Sequence, residues 1–181
     1  MTTEGKRQNK SEINTFVDAL EKAYAAVLYL KTITEENCHT ELVFSKNRLS
    51  LMKGISIPRL ELLALIIGVR ATQYVQEELQ LPIQQKIIWT DSKCVLYWLK
   101  TSKILSVFVA NRFAEIKQAK GIEIRYLSSE ENIADLATRA CILQELLYNQ
   151  RWWKGPEWLN LSKDRWPNEL QYVEPDKDSW Q

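Results

Sequence analysis

Four acidic residues, Asp18, Glu61, Asp91 and Asp135, stand where a charge is costly to hold. Asp91 closes the short apolar run Ile87-Ile-Trp-Thr-Asp91, and Glu61 sits inside Leu60-Glu-Leu-Leu-Ala-Leu-Ile-Ile67. A carboxylate in such surroundings needs a cation, a donor or water; otherwise it destabilises the fold or takes up a proton. Taken alone, Asp18 is better explained as a turn residue, and Asp135 as an acid at a helix start. A common position at one end of a sheet would resolve the difficulty for Glu61 and Asp91. Converging carboxylates suit hard cations such as magnesium. Two such ions about 3.5–4 Å apart would lower the pKa of a bound water and stabilise the departing 3′ oxygen of a phosphodiester. The expectation is a metal-dependent phosphodiester nuclease, with no need for a Ser/His/Asp triad.

The elements that must position these acids follow from hydrophobic period and breakers. Ile13 to Val17, Tyr24 to Ile33 and Glu41 to Ser45 read as three strands in an antiparallel meander, with Asp18-Ala-Leu-Glu-Lys-Ala connecting the first two. Ser56-Ile-Pro58 opens a helix, with Ser56 as N-cap and Pro58 in the first turn. Its positions Leu60, Leu63, Ala64, Ile67, Ala71 and Tyr74 keep helical spacing; Leu62, Leu65 and Ile66 are apolar too, so its first half is expected to be buried on most sides. Leu81-Pro82 ends it before the Ile87–Thr90 strand. A short helix after Ser92, another from Ser106 to Lys120, a strand over Ile122, Ile124 and Tyr126, and a helix from Asn132 through Ala137 complete the order. Strands separated by helices need crossovers, so the later strands are expected to be parallel in a mixed sheet.

The chain has 181 residues, 45% apolar and 26% charged, which fits one globular domain and argues against wholesale disorder. A net charge of +1 gives no strong overall pull on nucleic acid, but residues 81–125 hold eight Lys and Arg against three Asp and Glu. A solvated basic face explains such runs more often than not. Cys38, Cys94 and Cys141 are scattered, and His39 is alone, so neither a disulfide framework nor a zinc site is expected. Cys94 reads as a packing residue and His39 as a surface residue. No apolar run reaches membrane-spanning length and the start is no secretory signal, so an intracellular protein is expected. Residues 1–11 read as a flexible segment, 12–150 as the domain, and 151–181 as an extension holding five of the seven tryptophans. That extension is expected to be an irregular wrap packed on the body.

With these pieces in hand the chain resembles the ribonuclease H domain of BEL/Pao-type LTR retrotransposons. The matching segments are Phe16-Val-Asp-Ala with Ala23-Tyr-Ala-Ala-Val-Leu-Tyr-Leu, Ser45-Lys-Asn-Arg-Leu and Ser56-Ile-Pro-Arg-Leu-Glu-Leu-Leu-Ala. They continue with Trp89-Thr-Asp-Ser-Lys-Cys-Val-Leu-Tyr-Trp, Phe108-Val-Ala-Asn-Arg and Asn132-Ile-Ala-Asp-Leu-Ala-Thr-Arg. Trp152-Trp-Lys-Gly-Pro-Glu-Trp-Leu is similar to the segment that follows this domain in such polyproteins. The resemblance spans roughly residues 13–160. It implies an α/β ribonuclease H-like fold: a five-stranded mixed sheet, three antiparallel strands then parallel ones, flanked by helices. It also implies endonucleolytic hydrolysis of the RNA strand of RNA–DNA hybrids during reverse transcription. Asp18, Glu61, Asp91 and Asp135 would be both catalytic and metal-binding, holding two magnesium ions that manganese can replace. The partners implied are the hybrid and the reverse transcriptase and integrase parts of a polyprotein, with no membrane. The setting would be a cytoplasmic virus-like particle or the nucleus.

Three departures from the family pattern bear on activity. Leu20 stands where Ser usually follows Asp-Ala, Arg139-Ala140 replaces Arg-Gly, and Ser128–Glu131 lacks the histidine that many ribonucleases H carry. For substrate, backbone amides and small polar groups near Ser45, Asn47, Ser92 and Asn111 are candidate contacts to a hybrid's groove and 2′-hydroxyls. Lys93, Lys100, Lys103 and Arg112 are candidate phosphate contacts, with solvent-exposed charge as the alternative for each. Lys100-Thr-Ser-Lys103 leaves no room for the basic protruding helix of some cellular ribonucleases H. Weak, salt-sensitive hybrid binding, supplemented by the polymerase, is therefore expected. Two other readings stand beside this one: a domesticated, non-catalytic module binding protein or nucleic acid, and an exonuclease or strand-transfer enzyme of the same superfold.

Overall fold

The computed structural model describes residues 9–51 and 54–167. The chain starts as a meander: β1 (Lys10–Leu20), β2 (Ala23–Ile33) and β3 (Cys38–Leu49), paired antiparallel throughout. The long α1 (Ile57–Leu79) crosses over to β4 (Ile83–Thr90), which lies parallel to β1. Helices α2 (Lys93–Lys100) and α3 (Val107–Gln118) then lead to β5 (Ile122–Tyr126), parallel to β4. Three short helices follow: α4 (Asp135–Thr138), α5 (Leu143–Tyr148) and α6 (Gln150–Lys154). The sheet order is β3-β2-β1-β4-β5, the mixed arrangement expected from the sequence.

Several boundaries differ. The first strand is twice as long as its β-branched centre, and Asp18 lies inside it; the turn to β2 is only Glu21-Lys22. Pairing with both β2 and β4 holds the polar ends in place, so Ser11 is a buried sheet residue and not part of a flexible start. Residues 1–8 of that expected segment lie outside the described residues. β4 begins at Ile83 because Ile83 and, in its polar half, Gln85 and Lys86 still pair with β1. The helix expected from Asn132 shrinks to one turn at Asp135, after a 3-10 turn over Ser129–Glu131.

Each sheet face carries its own core. On one, Ile13, Val17 and Leu28 meet Leu62, Leu65 and Val69 of α1, with Val109 and Phe113 of α3 behind. Ser56 precedes α1 in extended conformation but makes no side-chain cap hydrogen bond. The helix rests directly on β1 through Gly68, where an added Cβ would lie 2.5 Å from Val17 Cγ1. Next to it a buried hydroxyl pair, Thr15 Oγ1 and Thr72 Oγ1, sits at 2.7 Å, and Thr72 donates back to the Gly68 carbonyl at 2.8 Å. Gly68→Ala should therefore destabilise the fold. Overpacking costs about 1–3 kcal/mol, against a helix-propensity gain of about 1 kcal/mol. Val17 is hemmed in on a central strand and cannot retreat, so the clash wins. A lower urea midpoint at unchanged slope is the expected readout.

The second face is covered by the segment set apart at residue 151. Phe16, Tyr29 and Trp89 of the sheet pack against Trp152, Leu159 and Trp166, with Trp158 between them. Phe16 and Trp89 stack at 6.3 Å, and Trp158 meets Trp89 edge-on at 4.9 Å. The Tyr29 hydroxyl donates to the Trp152 carbonyl at 2.7 Å, and Trp89 Nε1 donates to Asn14 Oδ1 at 3.0 Å. Trp180 lies outside the described residues.

β3 carries a bulge. Leu28 pairs with Phe44 and Tyr29 with Leu42, so Val43 is the extra residue. A bulge of this kind reverses side-chain parity along the strand. Leu42 accordingly packs in the tryptophan core while Phe44 packs against α1.

Candidate active site

The four acids reach one end of the sheet from different directions. Asp18 shares a β1 face with Asn14 and Phe16. Asp91 leaves the end of the neighbouring parallel strand. Glu61 comes from the first turns of α1 on the opposite face, and Asp135 opens α4. Asp18, Asp91 and Asp135 line one cavity with Ser129, Asn132 and Arg139. Glu61 does not line it, but the charges of Asp91 and Asp18 bear on it.

Each acid is held by a local donor. Thr138 Oγ1 donates to Asp18 Oδ2 at 2.6 Å, and Arg139 Nε to Asp135 Oδ1 at 2.7 Å. The Ser92 hydroxyl donates to Glu61 Oε2 and accepts from Val95 N, so one side chain ties α1 to the start of α2. Asp91 accepts from the Ser129 and Asn132 side chains. Asn132 also donates to the Val17 carbonyl at 2.9 Å, fixing the loop against β1.

Burial pushes the Asp18 carboxyl up to about 6; the Thr138 hydrogen bond opposes this, and the charges of Asp91 and Asp135 add to it. Glu61 is pushed up to about 7 by burial, opposed by Ser92 and reinforced by Asp91 and Asp18. Asp91 is raised by burial as well, and by Asp135. The charged groups that raise these carboxyls are each other, an arrangement that a hard cation would relieve. The donor chemistry thus fits a divalent ion. In spacing, no group of three His, Cys, Asp or Glu side chains among the described residues converges closely enough to chelate one.

The raised values predict a pH effect on the metal-free protein. Asp18 and Glu61 keep protons in the folded state up to about pH 6 and 7, but their ordinary values are 3.8 and 4.5. Between those limits the folded state binds more protons than the unfolded chain, so stability is fullest below pH 4 and is lost as pH rises to 7. Glu61's share is on the order of 3 kcal/mol at 1.36 kcal/mol per unit. Glu61→Gln should flatten this slope and raise the urea midpoint at pH 8; an unchanged slope would refute the assignment.

The expected substrate residues divide into two groups. Ser45 and Asn47 lie on β3, beside the site: Asn47 pairs with Ala25, which pairs with Asp18, and Asn47 Nδ2 donates to the Ala137 carbonyl at 3.3 Å. Lys93 follows Asp91 by two residues, its ammonium 5.8 Å from the Tyr126 ring. Ser92 is buried and its hydroxyl is engaged by Glu61 and Val95. Lys100, Lys103, Asn111 and Arg112 belong to α2, α3 and the link between them, and none lines the carboxylate cavity. Arg112 stacks on Phe108 at 3.5 Å and donates to its carbonyl.

Sequence reasoning missed the residues that hold the acids. Thr138 follows Asp135 by three, one turn on, which is the signal that could have found it. Ser129, Asn132 and Arg151 come together only through the fold. Arg151 lines the cavity and donates to the Glu131 carbonyl at 3.0 Å.

The family described as the Pao retrotransposon-like RNaseH-like domain matches residues 1–92, a stretch that includes Asp18, Glu61 and Asp91. The chain is similar to the structure of LC11-RNase H1 in complex with an RNA/DNA hybrid, at 15% identity and TM-score 0.46, covering 68% of this chain and 89% of that one. The LC11 enzyme isolated from compost by a metagenomic approach was also solved in a second structure, with 16% identity, TM-score 0.43 and coverage of 68% and 87%. RNase H1 from the halophilic archaeon Halobacterium salinarum NRC-1 gives 11% identity, TM-score 0.42 and coverage of 68% and 89%. No curated protein matches the chain.

Proposed function

This chain belongs to the Pao retrotransposon-like RNaseH-like domain family, and on that footing we propose that it is a divalent-metal-dependent endonuclease hydrolysing the RNA strand of RNA–DNA hybrids during reverse transcription. The observation that carries the proposal is the gathering of four acids at one end of a ribonuclease H-like sheet, where burial and neighbouring carboxylates raise Asp18, Glu61 and Asp91. Asp18, Glu61, Asp91 and Asp135 would hold magnesium or manganese. When bound, the metal supplies an activated water and stabilises charge on the leaving 3′ oxygen.

The chain's own residues orient and hold. Thr138, Ser92 and Arg139 aim three of the carboxylates, and Asn132 pins the loop that carries Ser129 to β1. Ser45 and Asn47 flank the site on β3, where groove contacts to a hybrid would form. Lys93 sits beside Asp91 for a phosphate. In a retroelement polyprotein the reverse transcriptase and integrase parts would be its neighbours, in a cytoplasmic particle or the nucleus. No helix among the described residues is long and apolar enough to cross a membrane.

The test is a substrate panel. Labelled RNA–DNA hybrid, DNA duplex, single-stranded RNA and single-stranded DNA are incubated with the chain, with magnesium, manganese or chelator. Cleavage confined to the RNA of the hybrid, and lost with chelator, is expected. Cleavage of DNA duplex would favour the strand-transfer or exonuclease reading. Binding without cleavage under every metal condition would favour a non-catalytic module.

A further inference from the structure

The bulge at Val43 turns Phe44, Lys46 and Arg48 toward α1, where they face Arg70 and Tyr74 across a groove floored by Ile67 and Ala71. Tyr74 is half exposed, and its ring meets Phe44 at 5.8 Å. Arg70 is committed to Glu115 in a two-bonded pair at 2.6 and 2.9 Å. Lys46 and Arg48 are exposed, and neither has an ionic or hydrogen-bond partner among the described residues. The groove therefore offers two uncompensated cations beside an aromatic platform, a combination that suits a single polynucleotide strand.

The groove is also continuous with the active site. The carboxylate cavity shares Leu136 and Arg139 with a second cavity over β3, and that cavity shares Lys46 with the groove. In register, Lys46 pairs with Ala26, which pairs with Val17, the residue before Asp18. Two strand spacings separate β3 from β1, about 10 Å. A strand leaving the acids would meet Asn47 and then cross the sheet edge into the groove.

The geometry points to a binding track for the single-stranded continuation of the substrate, running from the carboxylates past Asn47 to Lys46, Arg48 and the Tyr74–Phe44 platform. It rests on the nuclease reading for its starting point. Lys46 and Arg48 hold phosphates, and Tyr74 takes one base by stacking. The enzyme would accordingly favour hybrids that carry an unpaired extension over blunt ones.

Fluorescence anisotropy of the full chain without divalent ions tests this, using a blunt hybrid, the same hybrid with a ten-nucleotide extension at either end, and the extension alone. One extended hybrid should bind about tenfold tighter than the blunt one, the size of one stacked base. Lys46→Ala with Arg48→Ala should erase that gain and lower the salt slope for the extended hybrid by about 1.4, at about 0.7 per single-strand phosphate. Tyr74→Ala should lose most of the gain while leaving the salt slope unchanged. Metal-dependent cleavage of the blunt hybrid should stay at the wild-type rate in all variants. Equal affinity for blunt and extended hybrids, or a gain that survives the double substitution, would overturn the track. Equal binding of a polyglutamate peptide by the same residues would overturn the polynucleotide assignment. If the blunt hybrid is never cleaved the nuclease reading fails, and the extension-alone measurement still decides the groove.

Discussion

Asp91→Asn is expected to lower hybrid cleavage by about 10³-fold, several kcal/mol of transition-state stabilisation at 1.36 kcal/mol per tenfold. The substitution keeps side-chain volume and still offers an oxygen to Ser129 or Asn132. It takes away one of the charges that raise Glu61 and Asp18. Stability of the metal-free variant at pH 8 should consequently rise while activity collapses. That pair of opposite signs separates a catalytic carboxylate from a structural one, because a structural Asp91 would lose stability along with activity. Steady-state cleavage and thermal unfolding on the same preparation supply both readings. Residual cleavage within tenfold of wild type would remove Asp91 from the chemistry.

Ending the chain at Asn149 should cost the native state altogether. The described part of the removed segment contributes Trp152, Leu159 and Trp166, all buried, and Trp158 between the sheet rings. Burying a large apolar side chain is worth roughly 1.5–3 kcal/mol. Three of them approach the roughly 5–15 kcal/mol that holds a whole domain. The cut also removes the carbonyl that accepts from Tyr29 and the Lys163 ammonium 2.8 Å from buried Glu12. The face with α1 keeps its own core, so the truncated chain should retain helical circular dichroism, lose near-ultraviolet signal and bind hydrophobic dyes. Cooperative unfolding at the wild-type urea midpoint would show that the extension is dispensable. Substituting Trp158→Ala alone should give a graded version, about 3 kcal/mol.

The meander, the crossover helix and both parallel strands were legible because their apolar residues keep period 2 or helical spacing over many positions. The run Leu60 to Ile67 announces a helix buried on most sides, and its isolated acid marks the site. Strand ends were less legible. Asp18-Ala19 and Gln85-Lys86 are polar or small, and only pairing with neighbours makes them strand. The bulge at Val43 leaves no trace in composition, yet it decides which face Lys46 and Asn47 occupy. The site was legible as four acids and obscure as a network. Thr138, Ser129 and Asn132 are ordinary polar residues until the fold brings them to carboxylates far away in sequence. Ser92 stands among the candidate substrate contacts, and the fold adds a second duty that its sequence position does not reveal: its hydroxyl steadies Glu61.

Trp89, Trp158 and Trp166 form a closed triangle, with ring centroids 4.9, 5.8 and 5.7 Å apart. At such separations indoles share absorbed light, so their optical transitions couple and excitation passes among them before emission. The protein should show an intense exciton feature in its aromatic circular dichroism from this patch. Peeling residues 157–166 from the sheet would extinguish that feature before any helix melts. The molecule carries its own optical gauge of whether the second face is closed, readable without a dye or a label.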